Sequence, residues 1–341
     1  MRARNTVPAA LIAIALAAPA AAYGPKGHQT IGAIADTQLS KAAKAAVAKN
    51  LGYTLRTAAT WADCVKDVEK NDKGKFVYAP DPRFSASCKV FATTVGKARM
   101  ISYARRNWDN CVDPAMTKGC HALYHFADVP IQQNHYDRTF TGTSDHDIVS
   151  AINAAIAKLQ GNEVPKPFSI KDQAEAMLML AHLVGDLHQP LHVGAIYLDA
   201  HDAPADPGPV ATPHDAAMDT RGGNQLEVGS SSNLHADWDG VASAWDPLHL
   251  SKATIAAAKA VPATAGSVDE WPQAWASETV KASQLAYAGL TFSHAGAKKA
   301  GDRVTAFPDR SAYLKQKASV QDQEIATAGA RLAQILNTIW P

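Results

Sequence analysis

Aromatic residues are scarce in this 341-residue chain, at 7%, and runs of β-branched residues are few. Alanine supplies much of the apolar content, so the composition leans toward helix rather than sheet. Net charge is nearly absent: 33 Lys and Arg stand against 32 Asp and Glu, a balance of +1. A whole-chain basic field that would gather polyanions is therefore excluded, and any contact with nucleic acid must be made by a local site. No C-x-x-C pair occurs among the four cysteines, which argues against a structural zinc knot. No Asn-x-Ser/Thr acceptor occurs either, which excludes N-glycosylation. With no internal repeat and no low-complexity linker, one domain is the economical reading.

The one strongly apolar run is at the N-terminus. Arg2 and Arg4 precede the apolar stretch from Ala9 to Ala18, and Ala20 and Ala22 make an A-x-A pattern before Tyr23. This reads as an export signal over residues 1–22, cleaved before Tyr23. A membrane anchor would need about 20 unbroken apolar residues; this run is shorter and holds Pro19. No later segment is long and apolar enough to span a bilayer, so the mature chain is expected free of the membrane, secreted or periplasmic. In that setting Cys64, Cys88, Cys111 and Cys120 favour two disulfides. Three pairings are possible; Cys64–Cys88 and Cys111–Cys120 close the shortest loops.

Helical spacing of apolar residues predicts a helix over 29–48, ended by Gly52, and a second from near Thr57 that carries Trp61 and Asp63. Residues 71–88, rich in Lys, Asp and Pro, read as a loop. Ser144 with Asp147 marks the start of a helix to Leu159. The run 172–187 is the buried central helix, and Pro190 bars its continuation. Residues 197–223 form a long surface loop, and helices follow over 268–290 and 308–338. The fold class is all-α, a single mostly helical domain over 23–341.

The most informative stretch is His182-Leu-Val-Gly-Asp186-Leu-His188-Gln-Pro-Leu-His192. A helix puts His182 and Asp186 on one face. A carboxylate in so apolar a helix is costly unless it is paired or binds metal, and nitrogen with oxygen ligands suits zinc. His235 and Asp239 repeat the four-residue spacing. Tyr124-His125-Phe126-Ala-Asp128, Thr60-Trp61-Ala-Asp63 and Tyr23-Gly-Pro-Lys-Gly-His28 follow less telling patterns. Each of these last four reads alone as a solvated or core-packing segment.

Taken together, in order and local spacing, they resemble the zinc-dependent nucleases of the mung-bean type, the S-one/P-one nucleases. The resemblance runs through the W-x-D, H-F-x-D, H-x-x-x-D-x-H-Q-P-x-H, G-G-N and N-L-H-x-x-W-D elements. It continues weakly through Trp275 and Glu278 to Arg331. It implies a helical fold around a trinuclear zinc cleft, like that of phospholipase C. Three zinc ions would be held: one by Asp63, His125, His182 and Asp186, and one by His192, His235 and Asp239. The third would take His28, Asp186 and the amine and carbonyl of Tyr23, where the family has Trp. Asp63 and Asp186 are the catalytic carboxylates so implied, and His188 and Asn224 orient the ligands from behind. Phe126 would stack on a base, Asp128 would accept from its edge, and Lys66 would hold a phosphate. The remaining histidines, His121, His135, His146, His201, His214, His249 and His294, read as surface or structural residues.

The expected activity is hydrolysis of single-stranded DNA and RNA to 5′-phosphate products, and of 3′-nucleotides, with zinc supplying hydroxide near neutral pH. A zinc phospholipase C is the nearest alternative. A non-catalytic exported zinc-binding protein is another. Protein partners are not indicated.

Overall fold

The computed structural model describes residues 23–82, 85–111, 118–213, 215–242 and 245–341. Twelve α-helices are found among the described residues. They are α1 (Gly24–Asp36), α2 (Lys41–Leu51), α3 (Leu55–Ala58), α4 (Trp61–Val65), α5 (Ser85–Cys88) and α6 (Thr94–Arg106), then α7 (Ile148–Leu159) and α8 (Gln173–Leu187). The series closes with α9 (Leu234–Asp239), α10 (Lys252–Lys259), α11 (Trp271–Tyr287) and α12 (Arg310–Ile339). His214, one of the histidines read above, lies outside the described residues.

Helix α8 is the axis of the molecule. Every residue from Ala174 to Leu187 is buried, and α7, α1, α3, α4 and α12 pack around it. Its start is fixed by Asp172, whose carboxylate accepts the Glu175 N–H at 2.9 Å, an N-cap contributing about 1 kcal/mol. It ends as expected just before Pro190, which opens a short 3₁₀ turn, Pro190–His192. The 30-residue α12 runs the length of the fold and packs on α1, α2, α8 and α10.

The mostly helical expectation holds, and short strands add to it. β1 (Val68–Lys70) and β2 (Phe76–Tyr78) make a hairpin where a loop was expected. β3 (Val129–Pro130) pairs parallel with β4 (Gly194–Ala195). β5 (Leu226–Val228), β6 (Ser232–Asn233), β7 (Thr291–Ser293) and β8 (Arg303–Ala306) form a four-stranded sheet in the order β6-β5-β8-β7.

The helix expected over 29–48 is two helices. Ser40 breaks it: its Oγ accepts the Ala43 N–H and donates to Trp340 O, tying the turn to the end of α12. Gly52 ends α2 in the left-handed conformation, as expected. The cap of α7 is Asp147 itself, which accepts from Ser150 N and from Ser144 N. Cys64 is bonded to Cys88, and Cys111 to Cys120, the short-loop pairing. The first bridge fastens the five-residue α4 to α5.

Candidate metal centre

The site is built on α8. His182 and Asp186 project from one face a turn apart, both fully buried. The His182 Nδ1–H donates to Ala59 O at 2.7 Å, which leaves Nε2 bare toward the cleft. The 3₁₀ turn after α8 supplies His192, whose Nδ1–H donates to His125 O at 2.7 Å. Helix α9 supplies His235, whose Nδ1–H donates to Gly222 O at 2.8 Å. A carbonyl can only accept, so each of these rings must carry its proton on Nδ1. Burial lowers His192 and His235, so those two rings are neutral and their Nε2 atoms present lone pairs, whereas His182 Nε2 faces two carboxylates.

The ring nitrogens and carboxylates crowd one another. His192 Nε2 and His235 Nε2 face each other at 3.0 Å, and Asp239 Oδ2 lies 3.7 Å from His235 Nε2. His182 Nε2 is 3.1 Å from Asp186 Oδ2 and 3.5 Å from Asp63 Oδ1. His125 Nδ1 sits 2.8 Å from Asp186 Oδ2. Helix α1 lays His28 flat on His182, with ring centroids 3.8 Å apart, and its Nε2 is 3.2 Å from Asp186 Oδ1. Gly185 permits this approach, since a Cβ there would lie 2.9 Å from His28 Nδ1.

Both nitrogens of His28, Asp186 Oδ1 and Asp239 Oδ2 are buried without a hydrogen-bond partner among the described residues. Polar atoms buried in an apolar core without partners are costly, and a cation bound among them would satisfy the bare nitrogens and carboxylate oxygens together. Zinc bonds of about 2.0–2.2 Å at tetrahedral angles separate neighbouring ligand atoms by roughly 3.4 Å, close to the spacings found. The donor set fits zinc.

Electrostatics agree. Burial pulls His125 and His235 down to about 3 and also lowers His192, so these imidazoles are neutral, as ligands must be. Burial opposes the charge on His182 too, but Asp186 and Asp63 outweigh it and raise that ring. Burial pushes Asp239 well up, aided by repulsion from Asp186 and Asp63. Asp186 itself is held well below the usual range: His182 and His192 overcome its burial.

The candidate ligands gather as His28–Asp63–His182, His125–His182–Asp186 and His192–His235–Asp239, each trio of ligand atoms lying within 4.8 Å. The last is the group expected for one ion. The first two divide the other expected ligands differently, with Asp63 beside His28 as well as His182. Lys66 is bonded to Asp63 at 2.8 Å, rather than standing free for a phosphate.

Tyr23 is fully buried, and its hydroxyl donates to His188 O at 2.8 Å. That bond gives the phenol an anchor of its own where the family has an indole. His188 faces away from the cleft: its Nδ1–H donates to Val184 O, and its Nε2 accepts from Arg331 Nη1 at 3.0 Å. It supports the site through its backbone. Asn224 turns its amide to Arg221 O. The group that steadies His235 is instead the Gly222 carbonyl, in a backbone with φ +55° where a side chain would strike Leu191 O.

Gln189 escaped the sequence reading. Fully buried, it donates to Asp239 Oδ1 at 2.8 Å and accepts from Leu191 N. The signal was present: an amide wedged between two histidines in an apolar stretch. Phe126 is half-buried and follows His125 directly in the chain. Asp128 is buried beside it, pushed well up by burial and by Asp219, with Arg221 opposing. His121 is buried near Trp108 and Tyr103, away from the ligand groups.

A helical domain that holds such histidine–carboxylate groups in its core is a candidate metallohydrolase. The chain belongs to the S1/P1 nuclease family, whose model matches residues 23–341, and it is accordingly a hydrolase of phosphodiester bonds. It is similar to Endonuclease 2 of Arabidopsis thaliana, at 25% identity over 93% of this chain and 90% of the relative. It is also similar to Endonuclease 3 of the same plant, at 24% identity over 63% of this chain and 69% of the relative.

Proposed function

We propose that this nuclease uses three zinc ions to cleave single-stranded DNA and RNA to 5′-phosphate products and to remove the phosphate of 3′-nucleotides. The observation that carries the reading is the pair of buried Nε2 lone pairs of His192 and His235 facing each other beside the oxygens of Asp186 and Asp239 left unpartnered among the described residues. Asp63, His125, His182 and Asp186 would hold one ion, and His192, His235 and Asp239 another. His28, Asp186 and the amine and carbonyl of Tyr23 would hold the third. Bound zinc supplies hydroxide near neutral pH and offsets charge on the phosphodiester and the leaving oxygen.

The protein's own groups do the rest. Asp63 and Asp186 carry the negative charge that balances the cations. Lys66 remains an ammonium, because the attraction of Asp63 and Asp186 outweighs its burial. Once Asp63 turns to metal, that ammonium is free to meet a phosphate oxygen. Phe126 offers a face for stacking, worth roughly 1–3 kcal/mol per base. Asp128 keeps a proton more readily than an exposed carboxyl, so it can donate to a base edge as well as accept from one. A paired base cannot reach such a pocket without leaving its duplex.

We also infer that residues 1–22 are an export signal removed before Tyr23. The family match beginning at residue 23 and the two disulfides support this reading. The test is elemental analysis of correctly processed protein, together with cleavage of single-stranded against duplex DNA. Three zinc ions, single-strand preference and 5′-phosphate ends are expected. One zinc or none overturns the reading, and so does turnover of phosphatidylcholine without cleavage of DNA.

A further inference from the structure

Helix α9 carries two of the three ligands in the second group, His235 and Asp239, yet it is six residues long. Isolated helices shorter than about 12–15 residues are marginal in water, and the last carbonyls of any helix lack partners within it. Something outside α9 must hold its C-terminal end, where Asp239 sits.

The holding groups come from one face of α12. Arg310 Nη2 pairs with Asp237 Oδ2 at 2.9 Å. Tyr313 Oη accepts the Trp238 indole N–H at 2.7 Å. Lys317 Nζ donates to the carbonyls of Asp237 and Gly240. Gln321 Nε2 donates to the carbonyls of Trp238, at 2.6 Å, and Gly240, at 3.2 Å. Steps of three, four and four residues keep these side chains on one side of the helix. Lys317 and Gln321 are buried, at 9% and 3% exposure. Both spend donors on the orphaned carbonyls that flank Asp239, and an ammonium is well placed at a helix C-terminus.

We propose that Lys317 and Gln321 are positioning residues for the His192–His235–Asp239 group, setting where the Asp239 carboxylate stands before metal arrives. Gln189 orients that carboxylate by its Oδ1; Lys317 and Gln321 fix the backbone that bears it. The inference rests on the reading that this group binds zinc. Alteration of partners behind a ligand costs about 10–100-fold in metal affinity.

The experiment is zinc titration of metal-free protein in competition with a chelator, with zinc counted per chain and thermal stability followed separately. The variants are Lys317→Met, Lys317→Arg, Gln321→Leu and, as a packing control, Leu336→Ala in the buried far half of α12. Lys317→Met and Gln321→Leu should each weaken one zinc about tenfold or more while leaving the other ions near wild-type affinity. Lys317→Arg, which restores donors, should recover much of the loss. Leu336→Ala should lower the melting temperature without weakening that zinc. Unchanged zinc affinity in Gln321→Leu and Lys317→Met overturns the proposal, as does equal weakening in Leu336→Ala. If Lys317→Met fails to fold, Gln321→Leu and Lys317→Arg decide the matter by the same readout. Wild-type protein that binds no zinc would instead overturn the proposed function itself.

Discussion

The two halves of the centre are held in opposite ways. His182 and Asp186 stand in the C-terminal half of α8, a long helix buried from Ala174 to Leu187. His192, His235 and Asp239 stand on a 3₁₀ turn and a six-residue helix, placed by hydrogen bonds donated by Gln189, Lys317 and Gln321 and accepted by the Gly222 carbonyl. In a long core helix packing fixes the backbone, and one hydrogen bond, His182 Nδ1–H to Ala59 O, is enough to aim the ring. A ligand on a short element needs several, and each tether is a place where the site can be loosened without touching a ligand.

Three substitutions and one insertion test that contrast, in falling order of effect. Asp186→Asn keeps the shape but removes charge shared between His28, His125 and His182. Cleavage of single-stranded DNA should slow by at least about a hundredfold, with zinc lost from the α8 side and retained by His192, His235 and Asp239. Wild-type turnover would mean the chemistry is elsewhere. Next, an alanine added ahead of mature Tyr23 replaces an amine with an amide. Activity should fall about 10–100-fold, with the second group still loaded. Full activity in a chain of verified N-terminus would remove Tyr23 from the ligands.

Phe126→Ala should leave zinc content unchanged and raise KM for 3′-nucleotides by about fivefold to a hundredfold, the range of roughly 1–3 kcal/mol of stacking. Kinetics equal to wild type would return the ring to a packing role. The smallest effect is expected at Gln189→Leu, which removes the hydrogen bond to Asp239 and keeps the volume. One zinc should bind about tenfold more weakly while the α8 side is unaltered. Weakening confined to the α8 side would erase the distinction between the two halves.

The same contrast explains what was legible beforehand. Helix α8 announced itself by an apolar run, a four-residue His–Asp spacing and Pro190, all local signals. His235 and Asp239 shared the spacing, but only their order along the chain gave it weight. The clamp from α12 was not legible: Lys317 and Gln321 read as ordinary polar positions of a long helix, and what buries them is 80 residues away in sequence. Helix α6 was missed because it buries only Met100, Tyr103 and Ala104 and lacks an apolar stripe. The split between α1 and α2 has a local mark, the Ser40 cap on Ala43 N–H, and a distant one, the contact of Ser40 with Trp340, which no window around residue 40 contains. Asn224 was expected to support a ligand from the family resemblance; its amide turns to Arg221 O, while His235 donates to the Gly222 carbonyl, a backbone group that no residue type announces.

The bridge from Cys64 to Cys88 has a bearing on the cell that makes this enzyme. It is attached one residue from Asp63, on a helix of five residues. Thiols stay reduced in the cytoplasm and are oxidised outside it, so before export the turn bearing Asp63 would lack its covalent brace. A degrader of nucleic acid is dangerous to its own maker. Under the export proposed for residues 1–22, the oxidant of the destination compartment would act as a safety catch, the blade being braced only after it has left the workshop.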